Sequence, residues 1–401
     1  MGDPLFADGL NFTVVVIVLI KTLAAFVIML TSAALMVWWE RKFVADMQNR
    51  IGPNRAGPFG LLQSLADGIK LFFKEDLLPD RADKRVFRLA PYLSMIPAML
   101  AVAVVPYGGV FGNGEDGTVE IFGRETYLQL ADPPVGVLFV LAVSSIAVYG
   151  VMLAGWSSGS KYPLLGGIRA SAQMVSYEAA MGLATVAVVL ATGSLSTHDI
   201  VVAQAGPGRG DIIPNWNIIV TGIVPFIVFL VAGTAELNRP PFDLVEAEQE
   251  LVGGFHTEYS SARFALFFLA EFGNVVTMSA IIITLFLGGP AGPVLFGPAW
   301  IWGFFWFGLK LLIFVSIFVW FRATLPRFRY DQLMDLGWKV LIPLSLGWLL
   351  LIAALRLAGD EGWNTGVVAV AGAFVIGACA GLLGLAMRVG TRRRQLLEVR
   401  Q

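Results

Sequence analysis

The run Glu236-Leu237-Asn238-Arg239-Pro240-Pro241-Phe242-Asp243-Leu244-Val245-Glu246-Ala247-Glu248-Gln249-Glu250 holds five carboxylates against one arginine, and Glu258 follows shortly after. Such a run reads either as a solvated acidic loop or as a buried cluster that exchanges protons. Three features favour the cluster. Glu236 ends an apolar stretch, Pro240 and Pro241 force a break just beyond it, and the acids alternate with apolar residues leading into Val252-Gly253-Gly254-Phe255, which reads as buried. Carboxylates crowded in a low-dielectric place disfavour one another's charged form and so trade protons near neutral pH. Three further charges, Glu178, Glu271 and Lys310, stand inside apolar stretches. A charge at the centre of a spanning helix costs about 2.5–3.5 kcal/mol on insertion scales, so such groups face a polar interior, partner one another and are functional candidates. Lys21, near the end of its stretch, fits snorkelling instead.

Other chemistries are closed off. The single cysteine, Cys379, lies in an apolar stretch, and the two histidines, His198 and His256, lie in separate loops. An internal disulfide, a structural zinc site and a cysteine-ligated iron–sulfur cluster are therefore excluded, and the separation of the two histidines argues against a bis-histidine haem across helices. The expectation is a chain that carries no metal and no bound redox cofactor of its own. A net charge of −1 argues against a nucleic-acid partner.

The elements that must position these groups are membrane helices. Of 401 residues 57% are hydrophobic and 14% charged, with a mean hydropathy of +0.74, against about 25% charged in soluble domains. Nine segments have the roughly 20 apolar residues a span needs: 13–39, 93–110, 135–156, 174–192, 217–236, 264–287, 303–323, 338–357 and 365–387. The first is too long for a signal h-region and is read as a retained helix. Helices are the spanning form because backbone amides in lipid must be satisfied within the segment. The loops 40–92, 157–173, 237–263, 322–339 and the part after 387 hold 10, 2, 2, 4 and 5 of the 28 Lys and Arg, whereas only Arg124, Arg209 and Arg356 lie on the other side. The positive-inside rule then puts the N-terminus outside and the C-terminus in the cytoplasm. The expected fold is an all-α polytopic bundle of about nine transmembrane helices, with an eight-helix core over 1–360 and an extension over 361–401 that adds the ninth helix and a basic tail.

The loop 40–92 is more than a connector. From Pro58 to Leu78, the apolar Leu61, Leu65, Ile69, Phe72 and Phe73 recur at helical spacing opposite Gln63, Asp67, Lys70 and Lys74. That pattern predicts an interfacial helix with its apolar face in the acyl boundary, preceded by a sharp turn at Gly52-Pro53-Asn54-Arg55-Ala56-Gly57-Pro58. It reads as an orienting basic patch or as the entrance through which an amphiphile leaves the lipid.

Three motifs carry a resemblance. Glu40-Arg41-Lys42, Gln48-Asn49-Arg50-Ile51-Gly52-Pro53-Asn54 and Ala66-Asp67-Gly68-Ile69-Lys70-Leu71-Phe72-Phe73-Lys74-Glu75 form the first. Ala235 to Leu244, continued by Glu246, Glu248, Glu250, Gly254-Phe255 and Glu258-Tyr259, forms the second, and Pro326 to Met334 the third. In this order, over about residues 13–358, they resemble the H-subunit family of bacterial NADH–quinone oxidoreductases, counterpart of mitochondrial NADH dehydrogenase subunit 1. The resemblance implies a subunit at the heel of an L-shaped complex in the cell (inner) membrane. It would form the membrane side of a quinone tunnel, with Arg41, Asp67, Phe255, Arg327 and Arg329 along it. Glu178, Glu236, Asp243, Glu246, Glu248, Glu250 and Glu258, with the intramembrane Glu271 and Lys310, would form a proton path. A membrane quinone would be the substrate. Flavin and iron–sulfur clusters would sit on peripheral-arm partners, and small membrane and antiporter-like subunits would adjoin. The part after about 360 exceeds the family's usual eight helices. The rival readings are a stand-alone proton-coupled transporter and a membrane anchor for a hydrogenase-type module.

Overall fold

The computed structural model describes residues 3–7, 9–112, 115–206, 214–243 and 251–398. Helices dominate it: α1 (Phe12–Met47), α2 (Gln63–Phe73), α3 (Lys84–Ala101), α4 (Gly136–Ser157), α5 (Lys161–Thr192), α6 (Thr197–Ala205), the single turn α7 (Asn217–Val220), α8 (Ile223–Glu236), α9 (Ser261–Phe286), α10 (Ala299–Thr324), α11 (Tyr330–Leu336), α12 (Ile342–Asp360) and α13 (Thr365–Glu398). Among the described residues seven helices are long and apolar enough to cross a membrane, with Ile223–Glu236 and Thr365–Cys379 as shorter apolar helices. The chain is thus a polytopic all-α membrane protein. α1 turns Val15, Leu19, Leu23, Phe26 and Val27 outward, as a lipid-facing surface requires.

Helix ends depart from the hydropathy windows where capping and helical charge extend them. The stretch expected at 93–110 starts instead at Lys84, because the Asp83 carboxylate accepts hydrogen bonds from the Arg85 and Val86 amides (3.0 and 3.3 Å) and caps the helix. Lys84, Arg85 and Arg88 are therefore helical, and Pro106 lies beyond the last turn. α1 runs on to Met47 and carries Glu40, Arg41 and Lys42 within it. α5 begins at Lys161 rather than near 174, with Pro163 in its first turn where no amide donor is needed. The stretch 217–236 is broken at Gly222 (φ +80°), which leaves α8 only 14 residues long and ends it on Glu236.

α3 packs on α4, α4 on α5, α5 on α8, and α9 on α3, while α1 flanks α9 and α10. The largest core joins these helices around Tyr177, Phe229, Phe286 and Phe318. α12 packs on α5, and α13 packs mainly on α12. α2 has no buried residue and exposes Leu65, Ile69, Phe72 and Phe73, as an interfacial helix would. It is shorter than the expected Pro58–Leu78, because a 3-10 turn takes Pro58–Gly60.

The loop between α3 and α4 contains strands that the hydropathy pattern does not announce. β1 (Phe111–Gly112) pairs antiparallel with β2 (Glu115–Asp116), and β3 (Thr118–Ile121) with β4 (Arg124–Tyr127). The β3–β4 turn is Phe122-Gly123, both at positive φ (52° and 75°), the two-residue geometry that matches strand twist. Lys21 reaches this hairpin: its ammonium lies 2.8 Å from Asp3 and 2.5 Å from the Thr126 hydroxyl. Pairing, rather than snorkelling, therefore accounts for Lys21.

Candidate functional site

The site is assembled where the ends of α1, α8 and α10, on the side that holds α2, meet the first half of α9. Glu40, in the penultimate turns of α1, is 8% exposed, and Arg239, just after α8, is 4% exposed. Arg239 uses both arms of its guanidinium: Nη1 lies 3.0 Å from Glu40 Oε2 and Nη2 lies 3.0 Å from Glu271 Oε1. Arg322, at the end of α10, pairs with the other Glu40 oxygen. The Arg239 guanidinium also sits 4.5 Å over the Phe272 ring, a cation–π contact. Two acids and two guanidiniums from four segments thus neutralise one another, the condition under which charges tolerate burial.

The loop after α8 is held by one amide. The Gln173 side chain on α5 donates to the Ala235 carbonyl (2.7 Å), the Asn238 side-chain oxygen (3.2 Å) and the Phe242 carbonyl (3.0 Å). Phe328 N donates to Pro241 O (3.0 Å), tying the same loop to the segment before α11. Asp243 then meets Arg327 at 2.9 Å. Burial raises the Asp243 pKa above the usual carboxylate range, against the opposing Arg327 charge. A second loop closes in at Gly166: a Cβ there would lie 2.8 Å from Gly254 backbone atoms, so only glycine lets the 254–256 turn seat against α5.

That turn carries Phe255 and His256 to a cavity of about 180 Å³. Its polar side is Glu236, Asn238, His256, Glu271, Asn274 and Arg322, and its other side is Phe255, Phe264, Phe267, Phe268 and Phe272. Phe255 meets Phe267 edge-to-face at 5.3 Å. Burial pushes the His256 pKa down to about 4, so this imidazole is neutral at pH 7. Tyr259 stacks on Phe87 at 4.0 Å and donates to its carbonyl at 3.0 Å, which fixes the loop behind the cavity.

Glu236 is buried, and its Oε2 has no hydrogen-bond partner among the described residues. Ser144 of α4 bonds to it, and Glu178 of α5 is near enough to act on it electrostatically. Glu178 in turn accepts from Ser145. Two carboxyls and two adjacent hydroxyls thus lie together between α4, α5 and α8.

At the interfacial helix, Arg41 Nη1 lies 2.6 Å from Asp67 Oδ2, and Gln63 donates to Asp67 Oδ1 at 3.1 Å. Partial burial would raise the Asp67 pKa, but the Arg41 bond and charge, with Gln63 and Lys70, hold it below the usual range.

Of the residues singled out in the sequence, Glu236 and Glu271 line the cavity with Phe255, Glu178 lies near Glu236 outside that lining, and Asp243–Arg327 lies beside the same loop. Arg41 and Asp67 pair at α2. Arg329 is exposed at the start of α11, and Glu258 is half-buried without an ion-pair partner among the described residues. Lys310 is elsewhere: its ammonium donates to the carbonyls of Leu287 (2.8 Å), Gly289 (2.8 Å) and Ala291 (3.0 Å), beyond the end of α9. Glu246, Glu248 and Glu250 lie outside the described residues. Val252, read as buried, is exposed, whereas Gly254 and Phe255 are buried. Sequence reasoning passed over Glu40, Arg239, Arg322 and His256 as site residues. The signal available was that Glu40 and Arg239 stand inside the motifs themselves.

A family model described as NADH dehydrogenase matches residues 20–353. The NADH-quinone oxidoreductase H subunit of Frankia casuarinae is 54% identical over 347 residues, 85% of this chain and 73% of the relative. The protein of the same name from Streptomyces avermitilis is 49% identical over 360 residues, 88% of this chain and 76% of the relative. That from Frankia alni is 54% identical over 347 residues, with 85% and 73% covered. The chain belongs to the NADH dehydrogenase family, among the H subunits of NADH–quinone oxidoreductases.

Proposed function

We propose that this chain is the membrane subunit that forms the lipid-side part of the quinone tunnel in a proton-pumping NADH–quinone oxidoreductase, and that it links quinone reduction to a chain of carboxylates. The observation that carries this reading is the aromatic cavity whose polar side is made of Glu236, Glu271 and Arg322, closed by the self-neutralised network around Arg239. A quinone arrives from lipid past α2, where Arg41 and Asp67 flank the mouth, and passes Phe255. Arg327 and Arg329 face the peripheral arm, whose subunits supply flavin, iron–sulfur clusters and electrons. The basic side of the bundle is then cytoplasmic, the N-terminus lies outside, and the complex sits in the cell membrane. The segment 361–401 is a peripheral addition to the eight-helix core.

Reduction of a quinone takes up two electrons and two protons. Charge developing in the tunnel acts on carboxyls held in a low-dielectric setting, where its field is strong. Glu178, Glu236, Asp243, Glu246, Glu248, Glu250, Glu258 and Glu271 relay protons in response. Electrons stay on the partner subunits, and this chain binds, orients and moves protons. Lys310 is the member of the path least supported by its surroundings, since its three donors are spent on carbonyls.

Glu236→Gln keeps the shape and removes the proton. The assembled complex is expected to form, with reduced quinone-dependent turnover or fewer protons moved per NADH. Wild-type rate and stoichiometry in that variant would refute the role.

A further inference from the structure

Glu236 lines three voids, of which the aromatic cavity is only one. A second, of about 30 Å³, runs along one face of α4, from Ser144 through Val140 to Val137. Seven residues of helix measure about 10 Å, so this void leads from the carboxyl toward the side opposite α2. Four hydroxyl-bearing residues, Ser144, Thr185, Thr284 and Thr197, are among those that line it. Their hydrogens go to backbone carbonyls, Thr185 to Met181 at 2.9 Å and Thr284 to Ala280 at 2.8 Å, but each oxygen keeps acceptor capacity. A third void of about 40 Å³ shares Glu236, Ser144 and Val140 and adds Asn274 and Thr277. One water needs roughly 10–15 Å³ of such space, so the second void has room for about two or three and the third for about three or four.

The far end of this passage is a polar cluster that the proposed function does not use. Thr197 donates to Val104 O at 2.7 Å and accepts from Gln129 Nε2 at 2.9 Å. Gln129 and His198 are each 3% exposed, and Gln129 Oε1, His198 Nε2 and Asp132 Oδ2 have no hydrogen-bond partner among the described residues. Ser196 donates to the other Asp132 oxygen at 2.7 Å, and Tyr127 of the β3–β4 hairpin stacks on His198 at 3.7 Å. Burial lowers the His198 pKa and raises that of Asp132, which brings the two toward each other. Buried polar atoms in native proteins are nearly always partnered, by protein or by ordered water. Here unpartnered atoms stand at both ends of one passage: Glu236 Oε2 at its head and three atoms at its foot.

We propose that this chain carries its own proton exit, from Glu236 along the α4 face to Thr197 and out past Gln129, Asp132 and His198 to the side opposite α2. This rests on the proposed function, which supplies the driving reaction. In each cycle the Glu236 carboxyl releases one proton toward Thr197 and regains one from the aromatic cavity. It ends as it began, and no bond between heavy atoms changes. The carriers are water molecules and hydroxyls, so the passage takes protons and no larger solute.

The test uses the assembled complex in sealed liposomes, with protons exported per NADH measured beside the ionophore-released rate of NADH–quinone turnover. Thr185→Val, nearly isosteric, removes a hydroxyl from the middle of the passage, and Val140→Phe fills it. Both are expected to lower export by about one proton per NADH while the released rate stays at the wild-type value. Thr185→Val keeps the test decisive if Val140→Phe fails to assemble. Wild-type stoichiometry in the assembled variants, with Glu236→Gln still losing protons or turnover, would overturn the exit and leave the proposed function standing. Wild-type rate and stoichiometry in Glu236→Gln as well would remove both.

Discussion

Replacing Arg239 with glutamine tests the central claim of the site, that its charges are tolerated because they neutralise one another. Arg239 Nη1 holds Glu40 and Nη2 holds Glu271, each at 3.0 Å. In Arg239→Gln, Glu40 keeps Arg322 but Glu271 keeps no ion-pair partner among the described residues. Removing one partner of a buried pair costs about 3–5 kcal/mol, because the remaining charge is left uncompensated. The Glu271 side chain is 27% exposed toward the cavity, which puts the loss at the low end. About 3 kcal/mol is roughly a 150-fold shift away from the docked loop. Purified complex should therefore lose quinone-dependent activity at a lower temperature than wild type, while NADH oxidation by a soluble acceptor persists. Arg239→Lys should be intermediate, since an ammonium cannot fork to two carboxylates. The double variant with Glu271→Gln should recover much of the lost stability, because no orphaned charge remains. Wild-type thermal stability and turnover in Arg239→Gln would refute the reasoning, as would a double variant worse than the single one.

Acid should weaken the loop that carries His256. The folded chain keeps this group neutral down to about pH 4, whereas the unfolded chain protonates it near 6.5, so the unfolded state gains the proton first. Stability is therefore lost as pH falls from about 6.5 toward 4, and His256→Gln should flatten that part of a thermal-inactivation profile. Asp67→Asn frees Arg41 at the interfacial helix. Because that pair is partly exposed it contributes little stability, about 0–1 kcal/mol. The expected result is a raised KM for a long-chain quinone with unchanged melting and nearly unchanged kcat. Lys310→Met strands three carbonyls that now accept from one ammonium. Each orphaned acceptor costs about 1–3 kcal/mol, so complex yield and thermal stability should fall together. Reduced proton stoichiometry in a fully stable Lys310→Gln complex would instead return Lys310 to the proton path.

Much of this architecture is legible in the sequence because lipid imposes a simple rule: long apolar runs become helices. The rule loses accuracy at helix ends, where capping by Asp83 and continued helix through Glu40-Arg41-Lys42 carry charge into segments that hydropathy excludes. It is silent on the strands between α3 and α4, whose hairpin depends on a local turn at Phe122-Gly123. For the site, Glu236, Glu178 and Glu271 stand out because an intramembrane acid is conspicuous. Their partners do not. Gln173 and Ser144 are ordinary residues until folding brings them to Phe242 and Glu236. Lys310 shows the converse, a conspicuous charge whose neighbours are carbonyls rather than acids.

The pairing of Glu40 with Arg322 spans 282 residues of chain. At about 5–20 residues per second of synthesis, Glu40 emerges some 14–56 s before the arginine that shares its burial. Arg239 arrives sooner, but Glu271 and α10 are still unmade when it does. Until Arg239 is made, 199 residues later, the acid at the end of α1 stays at the wet headgroup layer, since an unpaired charge resists burial. The site is therefore among the last parts of the molecule to close during biogenesis. A nascent chain arrested before Arg239 therefore displays a bare carboxylate at the bilayer surface, whereas one arrested between α9 and α10 already holds Arg239, the partner of both Glu40 and Glu271, and lacks only Arg322.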